Sequence, residues 1–169
     1  MEARARSIAT LGILSLLLVI GGVWGWTALT EPLPEEPTTA VCEDREFGRG
    51  DRITRRDVTV SVYNAGTRVG LAGLTMNLLT DAGFAPGSEG NAPDRASVAR
   101  VQIWTEEPRN PAVDLVASHF GQDVRVVRRS SPGAGIAVVV GDDFENLTAG
   151  QRAVVARQAA SVCGPPRQG

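Results

Sequence analysis

The sequence lacks lysine altogether, and it contains only one histidine and two cysteines among its 169 residues. All 17 basic side chains are therefore arginine, and 19 acidic side chains outnumber them to give a formal net charge of −2. Without a basic excess, the chain has no electrostatic footprint for DNA or RNA. We attribute the missing lysine to codon bias in a GC-rich genome. With one histidine and two distant cysteines, we predict neither a metal site nor a cofactor.

The sequence does contain a long uncharged run over residues 7–29. As a helix, this run rises about 34 Å, which is enough to cross a hydrocarbon core of about 30 Å. Arg4 and Arg6 precede the run and Glu31 follows it, which predicts a cytoplasmic N-terminus. A cleaved signal peptide is the alternative, although the run exceeds a typical signal-peptide core and no A-x-A-like site follows it. We predict a cytoplasmic head over residues 1–6 and a single-pass signal anchor in the cell membrane over residues 7–29.

The segment after the anchor, residues 30–56, is predicted to be a stiff Pro-rich stalk and lead-in. The two cysteines, Cys42 and Cys163, bracket a predicted extracytoplasmic domain over residues 57–164, with a short tail over 165–169. In an oxidising compartment these cysteines most simply pair with each other. An intermolecular disulfide and two free thiols are the alternatives.

Hydrophobic periodicity predicts an α/β domain. The predicted strands cover residues 57–63, 98–104, 124–127 and 136–140, and the predicted helices cover 69–82, 112–120 and 148–161. The unbroken apolar run of residues 136–140 is typical of a central strand covered on both faces. Residues 85–94 are read as a Pro/Gly-rich loop with room for a short strand. The fold class is a small mixed or mostly parallel sheet with packed helices in the order β-α-β-α-β-β-α, preceded by one N-terminal transmembrane helix.

Local signals at glycine and threonine mark the ends of these elements. Gly83 is expected to end the first helix in a left-handed conformation. Gly66 is expected to adopt a positive φ in the turn after the first strand, and Gly70 to permit close packing of helix on sheet. Thr148 and Gln151 have the spacing of a capping box, which predicts the start of the last helix.

Candidate binding residues follow two of the predicted strands. Asn64, Thr67 and Arg68 lie in the turn before the first helix, where free backbone amides can bind an anion. Asp142 and Asp143 follow the predicted central strand, and ligands of open α/β sheets often sit outside the carboxyl ends of the strands. These five are our candidate ligand-binding residues. The simpler interpretations are a tight turn and a loop in which an acid caps backbone amides.

Other polar residues carry weaker signals. Glu106 and Glu107 begin the loop after the second strand and are expected to be surface residues. His119 falls near the end of the second helix, where a protonated imidazole would suit the helix dipole. It has neither a nucleophile motif nor a second histidine beside it, so we predict no catalytic residue.

Three segments in a fixed order carry a family resemblance. They are VTVSVYNAGTRVGLAGLTMNLLTDAGF, RVQIW and IAVVVGDDF, between Val58 and Phe144. Together they resemble the opening strand, turn and helix, the second strand, and the terminal strand with its G-x-D motif of the LytR C-terminal domain family. The order of anchor, Pro-rich stalk, cysteine, domain and final cysteine is similar to that of an actinobacterial envelope integrity protein. Nothing matches the LytR-CpsA-Psr catalytic domain that often precedes this domain, so its transferase activity is not carried over.

The resemblance implies a non-enzymatic role in cell-envelope integrity. We predict an extracytoplasmic module that binds cell-wall polymer or a membrane protein partner close to the membrane surface. The alternative is a small enzyme that modifies envelope glycans or lipids through Asp142, Asp143 and Glu106. A deep pocket with a carboxyl group of raised pKa would favour the enzyme.

Overall fold

The computed structural model describes residues 12–22, 24, 26, 42–93 and 96–166. The chain divides into two compact units, Met1–Thr38 and Thr39–Gly169. In the N-terminal unit, residues 12–22, 24 and 26 are helical. Within the described ranges, no helix is long and apolar enough to cross a membrane. The predicted cytoplasmic head and the stalk as far as residue 41 lie outside the described residues.

The described part of the C-terminal unit is built from short strands and two α-helices. The elements are β1 (Glu43–Phe47), β2 (Arg52–Thr54), a 3-10 turn (Arg55–Asp57), β3 (Thr59–Asn64), α1 (Leu71–Asp81), β4 (Ala85–Asn91), β5 (Val101–Thr105), α2 (Pro111–Ala117), β6 (Arg125–Arg128), β7 (Ile136–Val140), β8 (Ala153–Val155) and β9 (Ala160–Gly164).

A five-stranded mixed sheet in the order β4-β3-β7-β5-β6 forms the centre of this unit. β3 is parallel to both β4 and β7, whereas β5 is antiparallel to β7 and parallel to β6. The predicted mixed sheet is therefore confirmed. β7 is the middle strand, and its residues Ala137 to Val140 are fully buried, as its continuous apolar run predicts.

Both faces of the sheet bury apolar side chains. The face toward α1 and α2 carries every second residue of three strands, namely Val60, Val62, Ile103, Val138 and Val140. The other face buries Tyr63, Trp104, Ala137 and Val139. Each fully buried Val, Ile or Leu contributes about 1.5–3 kcal/mol relative to exposure. Burial of alternate residues fixes β3 and β5 in the sheet. It thereby also fixes the ends of these strands, where the loops of the candidate site begin.

The two helices start and end at residues suited to those positions. Asn110 caps α2, because its side-chain oxygen accepts a hydrogen bond from the Ala112 amide at 3.0 Å. Pro111 follows at the first helical position. After α1, Gly83 has φ +101°, which confirms the predicted left-handed residue beyond the helix.

The helix predicted over residues 148–161 is wrong. The chain there forms β8 and β9, which pair with β2 and β1. The capping box does not form, because the Gln151 amide donates to the Ser118 hydroxyl at 2.9 Å and the Thr148 hydroxyl points at the Ser118 carbonyl. Contacts with a distant part of the chain therefore replace the local signal. β-Branched residues such as Val154 and Val155 also favour strands.

β4 is longer than the short strand for which the sequence leaves room. Its residues 85–91 read APGSEGN, which are poor strand formers. It nevertheless pairs with β3 as an edge strand, with an irregularity in register between Val60 and Val62. The Ser61 hydroxyl accepts a hydrogen bond from the Ser88 amide at 3.0 Å, which helps to hold this edge strand in place.

The segment predicted as stalk and lead-in contributes two strands to the fold. β1 pairs antiparallel with β9, and β2 pairs antiparallel with β8. A disulfide joins Cys42 and Cys163, whose Cα atoms are 5.4 Å apart, so the predicted intramolecular pairing is present. The register places Asp44 opposite Cys163. The N-terminal and C-terminal ends of the folded unit are thus tied together.

Candidate functional site

The site residues predicted from the sequence lie where β3 and β7 end. These strands are parallel neighbours, and their register places Asn64 opposite Val140. The loops that leave the two strands therefore start side by side. This adjacency brings the turn after β3 together with Asp142, although 75 residues separate Thr67 from Asp142.

Asn64 shapes the turn. Its side-chain oxygen accepts a hydrogen bond from the Gly66 amide at 2.9 Å, and its side-chain amide donates to the Arg68 carbonyl at 2.7 Å. This is the Asx-turn geometry that asparagine supplies. As a result, the amides of Thr67 and Arg68 point out of the turn in the same direction.

The Asp142 carboxylate accepts both of these amides. The Thr67 amide donates to Oδ1 at 2.9 Å and to Oδ2 at 3.0 Å, and the Arg68 amide donates to Oδ1 at 3.0 Å. The Thr67 hydroxyl donates to Oδ2 at 2.9 Å. We call this set of hydrogen bonds between Thr67, Arg68 and Asp142 the Asp142 clasp.

The Arg68 side chain extends the clasp to the next loop. Its Nη1 donates to the carbonyl oxygens of Asp142 at 3.2 Å and of Phe144 at 2.7 Å. Phe144 is fully buried, and its ring lies 5.7 Å from that of Phe120. The clasp therefore connects a surface turn to the core beneath β7.

The two glycines of the turn have roles opposite to those expected. Gly70 adopts the positive φ, at +77°, as the residue that caps α1. Gly66 instead permits a close approach, since a Cβ there would lie 2.9 Å from the Asp142 amide nitrogen. Glycine at position 66 is thus needed for the carboxylate to reach the turn.

The clasp favours the ionised form of Asp142. The Thr67 amide, the Arg68 amide and the Thr67 hydroxyl lower the pKa of Asp142 below its ordinary value of 3.8. The carboxylate is therefore ionised at neutral pH. The turn does bind an anion, and that anion is a side chain of the same protein, so the interpretation of an acid that caps backbone amides fits the structure.

Asp143 and Glu106 lie apart from the clasp. The Asp143 amide donates to the Ala99 carbonyl at 2.9 Å, and its side chain is exposed. Glu106 follows β5, which runs antiparallel to β7. It therefore lies at the opposite end of these strands from Asp142. At about 3.3 Å per residue, roughly 20 Å of strand separates these two carboxyl groups.

His119 is buried rather than positioned for chemistry. It is 2% exposed, its ring packs edge-on against Phe84, and its Nδ1 lies 3.1 Å from the Leu115 carbonyl oxygen. Burial lowers its pKa below 6.5, and the charge of Arg55 acts in the same direction. This shift favours the neutral ring near pH 7 and so argues against the protonated imidazole considered for the helix dipole.

Comparison with known proteins shows the family of this chain. The family described as LytR cell envelope-related transcriptional attenuator, the LytR C-terminal domain, matches residues 57–144, or 88 of the 169 residues. The chain belongs to this family. Both halves of the Asp142 clasp lie inside the matched part of this LytR C-terminal domain, whereas the paired strands β1, β2, β8 and β9 lie outside it.

Among solved structures, the soluble domain of a conserved hypothetical secreted protein from Mycobacterium marinum is similar to this LytR C-terminal domain protein. The two are 22% identical, the likeness covers 62% of this chain and 80% of that chain, and the TM-score is 0.45. No curated protein matches the chain.

Proposed function

We propose that this protein is a non-enzymatic, membrane-anchored module that supports cell-envelope integrity. Its C-terminal domain lies outside the cytoplasm and binds cell-wall polymer or a membrane protein. Family membership supports the envelope role, because the family is described as cell envelope-related. The observation that carries the non-enzymatic part of the proposal is the Asp142 clasp. A carboxylate held by three donors and kept ionised is poorly suited to give or take a proton near neutral pH.

Support for the anchor comes from the helical residues of the N-terminal unit. Their large apolar side chains are exposed; Leu18, for example, is 76% exposed. The exposed set is Ile13, Leu14, Leu16, Leu17, Leu18, Val19, Ile20, Trp24 and Trp26. A continuous apolar surface of this kind is typical of a segment that contacts lipid or another protein. The arginines before the run and the glutamates after it give the orientation.

The geometry disfavours the enzyme that we considered as the alternative. Paired carboxyl groups in glycoside hydrolysis are about 5 to 10 Å apart. Asp142 and Glu106 lie at opposite edges of the sheet, roughly 20 Å apart along the strands. The two cavities lined by Glu106 contain neither Asp142 nor Asp143 in their walls.

Expression of the full chain in a strain that lacks it tests the proposal. We expect the protein in the membrane fraction with its C-terminal domain open to external protease, and with an intact mass that retains the N-terminal segment. Loss of about 30 residues from the mass would refute the anchor.

Complementation separates the binding role from an enzymatic one. The Asp143→Asn variant should restore envelope integrity as well as the wild type does, because its side chain is exposed and outside the clasp. Asp142→Asn should also complement under conditions in which its folded fraction, measured in parallel, equals that of the wild type. Complete loss of complementation in folded Asp143→Asn protein would assign Asp143 a functional role, and it would support the enzyme only if that variant still co-sediments with isolated cell walls as the wild type does. Co-sedimentation with isolated cell walls, and cross-linking in cells, then separate the polymer from a protein partner.

A further inference from the structure

Three adjoining cavities follow the loop that leaves β5, at the edge of the sheet opposite the Asp142 clasp. Their volumes are about 480, 550 and 790 Å³. Each falls within the range of roughly 300 to 1,000 Å³ that is usual for ligand sites. The first and second cavities share Glu106, Glu107 and Asn110, and the second and third share Pro108, Arg109 and Gln158.

The cavities have two walls in common, and the first cavity is lined in addition by Asp44, Ser130, Ser131, Gly135 and Ile136. One wall is the loop of residues 106–110 with the start of α2, and the other is the segment of residues 153–163. Along this segment the first cavity meets Ser161 to Cys163, the second meets Gln158 to Ala160, and the third meets Ala153 to Gln158. We call this row of cavities the 106–110 groove.

Charge changes in one direction along the groove. Asp44, Glu106 and Glu107 give the first cavity a formal charge of −3 among its described lining residues. In the second cavity, two arginines balance the two glutamates. In the third cavity, Arg109 and Arg157 outweigh Asp114, which leaves a formal charge of +1. One end of the groove therefore favours a cation and the other end favours an anion.

The acidic end is held in place by hydrogen bonds. The Ser130 hydroxyl donates to Glu106 Oε1 at 2.7 Å, and the Asn110 side-chain amide donates to Glu107 Oε2 at 3.2 Å. The same Asn110 amide donates to the Ser161 carbonyl at 2.7 Å, so it links the two walls. Both glutamates remain exposed. Charged groups that are oriented before a ligand arrives lose less freedom when it binds.

We propose that the 106–110 groove binds an extended peptide, with the peptide's free amino group near Asp44 and its free carboxylate near Arg157. This inference deepens the binding role proposed above and rests on it. Residues 157–162 of the groove wall include bends at 157 and 158 before β9 begins, so the wall is shorter than the roughly 20 Å of an extended segment and admits at most about five peptide residues. A peptide fits better than a neutral glycan, because the described residues that line these three cavities include no aromatic ring on which a sugar could stack.

Titration calorimetry on the full-length, oxidised chain in detergent micelles tests this inference. The probe is pentaalanine with free termini, compared with N-acetyl-pentaalanine and with pentaalanine amide. Each capped peptide should bind about two- to fivefold more weakly, which is the effect of one exposed charge pair. The β-linked tetramer of N-acetylglucosamine serves as the neutral glycan probe and should not compete.

Two pairs of variants locate the ends of the ligand. Asp44→Asn should weaken free pentaalanine two- to fivefold and leave the acetylated peptide unchanged. Its control is Glu43→Gln, which removes the same charge from the opposite face of β1. Arg157→Gln should weaken pentaalanine but not its amide. Arg125→Gln on β6, which lines none of these three cavities, is the matched control.

The outcomes distinguish this inference from the proposed function. No saturable binding of pentaalanine, equal binding of free and capped peptides, or equal effects of a variant and its control would overturn the groove. Binding of the glycan tetramer in its place would also overturn it. If the full chain still sediments with cell walls, the proposed function survives without the groove. If it binds neither the peptide, cell walls nor a cross-linked partner, both fail.

Discussion

Replacing Gly66 with alanine should destabilise the domain by about 1–3 kcal/mol, the usual cost of forcing extra methyl groups into a packed site. The new Cβ would lie 2.7 Å from the carboxyl carbon of Asp142 and 2.9 Å from its amide nitrogen. Real Cβ atoms essentially never approach this closely, so Asp142 has to move away from the turn. The hydrogen bonds from the Thr67 and Arg68 amides would then lengthen or break.

Gly73→Ala is the matched control for this change. Gly73 lies inside α1, and a Cβ there would be 3.6 Å from a Glu89 carboxylate oxygen, an ordinary contact. Alanine should therefore stabilise the helix by about 0.5–1 kcal/mol. Urea unfolding of the full-length, oxidised chain, followed by near-UV circular dichroism, should show the midpoints moving in opposite directions at equal slope. A midpoint for Gly66→Ala equal to or above that of the wild type would refute the close packing of the clasp.

Four further variants test other parts of the fold. Cys42→Ser with Cys163→Ser should lower the free energy of unfolding by about 4–5 kcal/mol, and an unchanged urea midpoint would contradict a structural disulfide. Leu115→Ala should cost about 2–5 kcal/mol because the side chain is fully buried, and a smaller loss by thermal melting would place it outside the core. Asn110→Ala should cost about 1 kcal/mol or more by urea unfolding, because it removes the α2 cap and the hydrogen bond to the Ser161 carbonyl, and an unchanged midpoint would contradict the capping role. Because burial lowers the pKa of His119, the unfolded chain binds the proton first, so stability present above pH 6.5 should fall on acidification. His119→Gln should flatten that pH dependence, and an unchanged profile would assign it to other groups.

The parts of the fold that follow local patterns could be predicted from the sequence. The alternating valines of β3, the continuous run of β7 and the glycine after α1 all occur where their periodicity or conformation indicates. The reason is physical, since successive side chains of a strand point to opposite faces, so alternate residues such as Val60 and Val62 share the face toward the helices, although the other face of β3 is buried as well. Asn110, just before α2, and Pro111, its first residue, likewise mark a helix start.

The parts that depend on distant contacts could not be predicted in this way. Residues 148–161 carry a local helix signal, but Ser118 and the strands β1 and β2 provide partners that this signal does not encode. β4 is poor in strand formers and exists because β3 offers it a paired edge. In both places tertiary pairing outweighs intrinsic preference, which is weak and depends on context.

The candidate site shows the same division. The sequence indicates Asn64, Thr67, Arg68 and Asp142 separately, as a turn with free amides and an acid after a central strand. Their direct contact follows from the adjacency of β3 and β7. The order of strands in the sheet cannot be inferred from the sequence of the turn after β3 or of the loop after β7. Whether any of these residues, or Asp143, contacts a ligand stays a prediction. Glu106 and Glu107 are exposed as expected, and the structure adds the cavities that they line.

The disulfide between Cys42 and Cys163 also determines how the domain carries mechanical load. A pull applied to the chain before Cys42 and resisted after Cys163 passes through one covalent bond between them, and the 120 residues enclosed by that bond bear no tension. The sheet and both helices would keep their shape while the chain ends are stretched. Force would reach the fold only through a molecule bound to the surface of the enclosed residues, such as a ligand in the 106–110 groove.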